Sequence, residues 1–143
     1  MLFNSKHYQK GTRDMSDFNE KFNEFNDTED TTAQFDPNDI QQNKVMAVLA
    51  YLSWLVLIPI LGAKNSPFAR FHANQGLVLA IAEIVCGALL GILVKLPLIG
   101  WIFGLVDGVF GLICLIFAII GIVNAANGRA KELPIVGKFR VLQ

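Results

Sequence analysis

Three uninterrupted apolar runs dominate the chain, Val45 to Leu61, Gly76 to Val94 and Leu98 to Val123, and its polar residues gather before, between and after them. The first run carries no charge, the second only Glu83 and the third only Asp107. At 1.5 Å of rise per residue, helices over these runs measure about 26 to 39 Å, enough to cross a hydrocarbon core of about 30 Å. The pattern predicts an all-α integral membrane protein with three transmembrane helices, over about 45–61, 76–94 and 98–123. The longest of these is expected to tilt or to run on into the headgroups.

Residues 1–43 have no such run and read as an acidic, mostly disordered tail, leaving 44–143 as the membrane domain. Within the tail, Phe18, Phe22 and Phe25 recur at i, i+4 and i+7 behind Ser16 and Asp17 as caps. This spacing predicts a short helix with three rings on one face, either transient in a solvated tail or folding on a partner. Pro37 and Asn38 mark the boundary before the first run. The opening MLFNSKHYQK lacks the apolar stretch of a secretory signal, and the acidic tail is unlike an organelle transit peptide, so the first run is expected to be its own insertion signal. Beyond the third run, Asn127 and Gly128 read as a helix stop. The segment after them, with Pro134, Gly137 and the basic Arg129, Lys131, Lys138 and Arg140, reads as interfacial and suited to anionic headgroups.

Composition strengthens the membrane reading: 53% of the 143 residues are hydrophobic, 17% are charged, and the mean hydropathy is +0.46. That balance leaves too little polar surface to clothe a soluble fold. The net charge of zero hides a split. Residues 1–43 hold nine acids against four bases, whereas 44–143 hold eight bases against Glu83, Asp107 and Glu132. The bases are spread thinly and without aromatic interleaving, which excludes a nucleic-acid surface. With three crossings, Lys64, Arg70 and the four C-terminal bases share one face opposite Lys44 and Lys95, so that face is expected in the cytoplasm and the N-terminus outside a bacterial cell membrane.

Candidate chemistry is sparse. Glu83 lies twelve residues before Lys95 and Asp107 twelve after it, so both fall at one depth of an antiparallel hairpin, near mid-membrane. A facing pair would share a proton or hold a cation; the alternatives are a protonated acid acting as interhelical glue, or two acids pointing different ways. Gly87 and Gly91 on the second run, with Gly100, Gly104 and Gly108 on the third, form small-residue stripes that predict a close helix-packing seam, within one chain or between two. His72 and His7 have no ligand set around them, and Cys86 and Cys114 fall at different depths, so neither a metal nor a disulfide is expected. No nucleophile elbow, phosphate-cradling loop or nucleotide fingerprint is present, and the four serines have no base partner. No catalytic residue or cofactor is therefore assigned, and the chain is expected not to be an enzyme.

Three stretches taken together carry a resemblance: Asn43 to Leu52; Ser66 to Gly76, with Arg70, Phe71, His72 and Gln75 as its most specific element; and Gly121 to Gly128 with Leu133 to Gly137. Over about residues 43–141 the chain resembles a family of small bacterial membrane proteins of unknown function related to the chloroplast inner-envelope import component of the Tic translocon. The resemblance implies a helical multispanning protein, with protein translocation as the role of the plastid relatives. Physically, Arg70, Phe71, His72, Asn74 and Gln75 are expected where the first loop enters the second span, anchoring the chain to headgroups or contacting a partner. The expected role is that of an assembly, scaffold or translocation-accessory subunit. Its partners would be the anionic bilayer and another membrane protein or a second copy of itself. The alternative is a small oligomeric proton- or cation-conducting transporter built on Glu83 and Asp107.

Overall fold

The computed structural model describes residues 14–21 and 23–142, all of the regular structure being helical apart from one isolated bridge. Residues 14–21 and 23–25 are helical, and four α-helices follow: α1 (Pro37–Leu49), α2 (Leu57–Gly62), α3 (Pro67–Leu93) and α4 (Gly100–Ala126). Local chemistry sets the starts. The Asp36 side chain accepts from the Asn38 N–H with proline in the first turn of α1, and the Ser66 hydroxyl accepts from the Ala69 N–H with Pro67 opening α3. At its end, α4 closes in a Schellman arrangement: Gly128 takes φ +70°, its N–H donates to the Ala125 carbonyl, and the Arg129 N–H donates to the Asn124 carbonyl.

Helices α3 and α4, 27 residues each, are long and apolar enough to cross a bilayer, and they pair as a hairpin. Gly100 permits their turn, because a Cβ there would fall 2.0 Å from the Val94 carbonyl oxygen. The expected first span, 45–61, is not one helix. Only the end of α1 belongs to it; the chain then passes Ser53 at φ +50°, makes a 3-10 turn over Ser53–Val56 and turns back as the short α2. Proline explains the break. In a continuous 45–61 helix the Pro59 ring would clash with the Leu55 carbonyl and leave it unbonded, whereas in the first turn of α2 no N–H is required of it. Segment 37–62 is thus a bent hairpin beside α3. Ser53, Trp54 and Leu57 at its tip lie against Leu77, Ala80, Ile81 and Ile84.

The core sits at one end of the α3–α4 hairpin. Ala47, Ala50, Tyr51, Phe68, Ala73, Leu79, Cys114, Phe117, Ala125, Ala130, Leu133 and Val136 pack there, and the end that carries the 94–99 turn stays a bare helix pair. Its exposed Ile84, Leu89, Ile92, Leu105, Val109 and Leu112 would be a liability in water and are the expected face in lipid.

The tail is ordered where it is described. Phe25 stacks on Phe117 of α4 with ring centroids 6.2 Å apart, Phe18 is exposed, and Phe22, like residues 1–13, lies outside the described residues. Further on, Asp30 and Lys131 form an antiparallel bridge. Around it the Thr31 N–H and hydroxyl both donate to the Ala130 carbonyl at 3.0 Å, and the Glu132 N–H donates to the Glu29 carbonyl at 3.1 Å. These bonds place residues 29–32 and the C-terminal segment together at one end of the hairpin. Among the described residues two helices, α3 and α4, are long and apolar enough to cross a membrane, and the expected third is not one of them.

Candidate functional site

The N-terminal half of α3 puts Phe68, His72, Gln75 and Leu79 on one face and Phe71 and Asn74 beside it, and the C-terminal segment closes over them. His72 is fully buried. Its Nε2 lies 3.0 Å from the Arg129 carbonyl oxygen, so that nitrogen carries the proton, and its Nδ1 accepts from the Tyr51 hydroxyl at 2.9 Å. Rings of Phe68, Phe71 and Tyr51 surround the imidazole at centroid distances of 4.8 to 5.7 Å. With both nitrogens occupied, His72 is a neutral structural bridge with no lone pair left for a metal. Among the described residues no group of three or more His, Cys, Asp or Glu is arranged to hold one.

Two amides continue the clasp. Asn74 donates from Nδ2 to the Phe139 carbonyl at 2.7 Å, while its Oδ1 accepts from the N–H groups of Val141 at 2.6 Å and Leu142 at 2.8 Å. Gln75, 1% exposed, accepts at Oε1 from the Leu133 N–H at 2.6 Å, and its Nε2 has no partner. On the α1 side, Asp39 accepts from the Phe68 N–H at 3.0 Å and from the Asn43 side chain at 2.9 Å, tying α1 to the start of α3. The expected loop element is therefore helical, and His72, Asn74 and Gln75 bond to the chain's own C-terminal segment. Buried polar groups demand partners, and the Arg129–Leu142 backbone, which has no regular structure of its own beyond one 3-10 turn, supplies them.

Arg70 and Phe71 remain half-buried and line a cavity of about 400 Å3 with Lys64, Arg140 and Phe35. Glu83 is exposed along a groove of about 560 Å3, facing Gly111 and Leu115 of α4 and Tyr51 and Ser53 of the hairpin tip. Asp107 does not line that groove, and no hydrogen bond joins the two acids among the described residues. Of the glycine stripes, only Gly100 makes a close approach, at the turn between α3 and α4. A Cβ on Gly87, Gly91 or Gly108 would meet nothing within 4 Å, and one on Gly104 only the Val94 side chain at 4.0 Å. Close approach falls instead to Gly76, where a Cβ would lie 1.8 Å from the Ala50 carbonyl oxygen, and to Gly121, where it would lie 2.3 Å from the Tyr51 ring. Sequence reasoning passed over these two glycines, Tyr51 and Asp39. The hydroxyl of Tyr51 inside an apolar run was the available signal, since a buried phenol needs an acceptor.

These features define a class: a helical, multi-pass bacterial membrane protein whose hairpin is clasped at one end by its own polar tail. Residues 42–140 match the model of the magnetosome magnetite crystal formation protein family, and the chain belongs to that family. Over 99 residues it is 37% identical to magnetosome protein MamF of Paramagnetospirillum magneticum, covering 68% of this chain and 82% of that one. It is 38% identical over 93 residues to magnetosome protein MmsF of the same organism, covering 64% and 79%. No solved structure matches. The stretch that matches is the one that suggested kinship with the Tic import component, so that kinship and the translocation-accessory role drawn from it are withdrawn. The Arg70 to Gln75 element that carried the resemblance is a fold-holding clasp, which by itself implies no translocation. Membership in this family makes the chain a non-enzymatic membrane protein.

Proposed function

We propose that the chain is a membrane-organising constituent of a magnetosome-type membrane and contributes there to the formation of magnetite crystals. The family description and the names of MamF and MmsF support the setting. The observation that carries the mode of action is the one-sided architecture. At one end α1, α2 and both terminal segments pack around the α3–α4 hairpin, while at the other two helices stand alone. Such a body takes up more area in one leaflet than in the other and presents an ordered polar surface on one side only. It would act on the bilayer and on neighbouring membrane proteins through shape and contacts, without bond chemistry. The broad end would face the cytoplasm: Lys44, Lys64, Arg70, Arg129, Lys131, Lys138 and Arg140 lie there, against Lys95 alone at the other. A conducting role for Glu83 and Asp107 has no observation to favour it, since only Glu83 lines the groove beside the hairpin tip.

The test is to express a fluorescently tagged copy in Paramagnetospirillum magneticum lacking MamF and MmsF, and to image the fusion and the crystals together. A fusion that follows the crystals, with crystal size changed relative to the parent, supports the proposal. A fusion spread evenly over the cell membrane with unchanged crystals overturns it.

A further inference from the structure

Residues 14–21 and 23–25 are helical and lie before the stretch that matches the family. The 3.6-residue period keeps Met15, Phe18 and Phe25 within about 80° of arc and sets Asp17, Glu20 and Glu24 opposite them. Met15 is 68% exposed and Phe18 67%, so the apolar side of an ordered helix is turned outward from the protein. Large apolar side chains held together on such a face fit an apolar medium and not water. The contact at the end of this helix identifies the medium. Phe25 stacks on Phe117 of α4 with ring centroids 6.2 Å apart and planes 19° from parallel. Phe117 belongs to the apolar run that forms α4, about 9 Å short of the end of that run. Its neighbours Ile113 and Ile116 are exposed on the helix surface expected in lipid, and Phe25, itself 50% exposed, continues that surface. Just after Phe25, the Thr28 hydroxyl donates to the Glu132 carbonyl and the Thr31 hydroxyl to the Ala130 carbonyl, fixing the chain to the clasp. The helical segment is thereby held at the edge of the apolar band, where its two faces meet two media.

We infer that this segment lies on the membrane that α3 and α4 cross, at the clasp end, with Met15, Phe18 and Phe25 among the upper acyl chains and Asp17, Glu20 and Glu24 in water. Its charge selects the lipid. Residues 14–25 hold Asp14, Asp17, Glu20 and Glu24 against Lys21 alone, the reverse of the basic helices that anionic headgroups attract, so the surface it fits is an electrically neutral one. The inference rests on the membrane reading of α3 and α4 but not on the magnetosome setting, and it adds a wedge at the level of the headgroups to the broad end of the molecule.

The experiment is NMR of the full, unsubstituted chain in phosphatidylcholine nanodiscs with two relaxation probes added separately: a lipid carrying a nitroxide high on its acyl chain, and a gadolinium chelate confined to water. The nitroxide should broaden the Met15 methyl and Phe18 ring signals, and the chelate the Glu20 side chain. Opposite faces of a helix lie about 10 Å apart and relaxation falls with the sixth power of distance, so the ratio of the two effects should differ more than about tenfold between Met15 and Glu20. Replacing half of the phosphatidylcholine by phosphatidylglycerol should weaken the nitroxide effect at Met15, and added salt should restore it. Ile113, exposed on α4, reports separately that the hairpin is inserted, so failure of the membrane reading shows there and failure of this inference at Met15. With Ile113 broadened by the nitroxide, equal broadening of Met15 and Glu20 by the chelate would put the helix in water and overturn the inference. If neither probe reaches Met15 and Phe18, a second copy or another protein covers them, and the lipid surface is equally wrong. If phosphatidylglycerol leaves the contact at Met15 unchanged or strengthens it, the preference for a neutral surface falls.

Discussion

Replacing Asn74 by leucine tests the clasp most directly, because the change keeps the size of the side chain while deleting its three hydrogen bonds to Phe139, Val141 and Leu142. A typical bond contributes about 0.5 to 1.5 kcal/mol net, so three sum to about 1.5 to 4.5 kcal/mol. Phe139 and Val141 are exposed residues whose freed backbone groups can turn to water, so the loss falls in the lower part of that range, about 2 kcal/mol. The loss is local, since Gln75 still holds Leu133 and His72 still holds Arg129. Amide hydrogen exchange reads it. At about 1.4 kcal/mol per tenfold, the Val141 and Leu142 amides should exchange about 30-fold faster in Asn74→Leu, with amides in the middle of α3 and α4 unchanged. Asn74→Asp, which keeps the acceptor for both amides and loses only the donor to Phe139, should fall between. A change of less than about threefold at both amides, in a protein that is otherwise folded, would refute the assignment of Asn74 as the residue that ties down the chain end.

The glycines separate the observed contact from the expected seam: Gly76→Ala and Gly121→Ala should each destabilise the hairpin tip by about 1 to 3 kcal/mol through overpacking against Ala50 and Tyr51, whereas Gly87→Ala should leave the melting temperature in detergent unchanged or raise it. Asp30 should make the docking of the tail pH-dependent. The Thr32 hydroxyl, then the Thr32 N–H, and with smaller effect the charges of Lys131 and Arg129, hold its carboxyl below the usual range. A lowered folded-state pKa gives a stabilisation that is complete above the ordinary carboxylate range and is lost as pH falls through the lowered value. Protection factors at Thr31 and Glu132, taken against the intrinsic exchange rate at each pH, should therefore fall as the solution is acidified through the lowered value, and Asp30→Asn should flatten that dependence. For topology, cysteines placed at Asn38 and Lys138 should react with an impermeant reagent from the same side of the membrane and one at Lys95 from the other; opposite labelling of Asn38 and Lys138 would contradict the clasp.

The two long apolar helices were legible because such a helix needs nothing beyond its own composition, and Asn127-Gly128 announced where α4 ends, whereas Ser66-Pro67, which opens α3, reads in the sequence as part of a loop. The first run misled for the same reason. Val45 to Leu61 is as apolar as a span, and only Pro59, the tyrosine hydroxyl and a serine at the bend distinguish a bent hairpin from a straight helix. Polar residues at the head of α3 stood out in the sequence, but their bonds to the C-terminal segment did not. Sequence pattern places His72, Asn74 and Gln75 near the interface, yet says nothing of a segment some sixty residues later that folds back onto them. The carboxylate pair shows the same limit of sequence pattern: spacing from a turn fixes depth but not rotation, so Glu83 and Asp107 can be assigned one height and not a common face.

A bent hairpin beside membrane helices raises a question of backbone groups, since N–H and C=O left unpaired in hydrocarbon cost several kcal/mol each and irregular chain at that depth must lie against protein. Here two missing side chains answer it: Gly76 and Gly121 let the Ala50–Tyr51 bend lie directly on α3 and α4. Settling Tyr51 there buries a hydroxyl, which must donate to something. His72 accepts that proton on one nitrogen and from the other donates to the carbonyl of Arg129, just past the end of α4. One imidazole thereby couples the bend, the start of α3 and the exit of α4. The clasp, the broken first run and the pairing of residues 29–32 with the C-terminal segment are consequently one structural fact: a bend that can lie against the hairpin only because the tail returns to satisfy the residues that admit it.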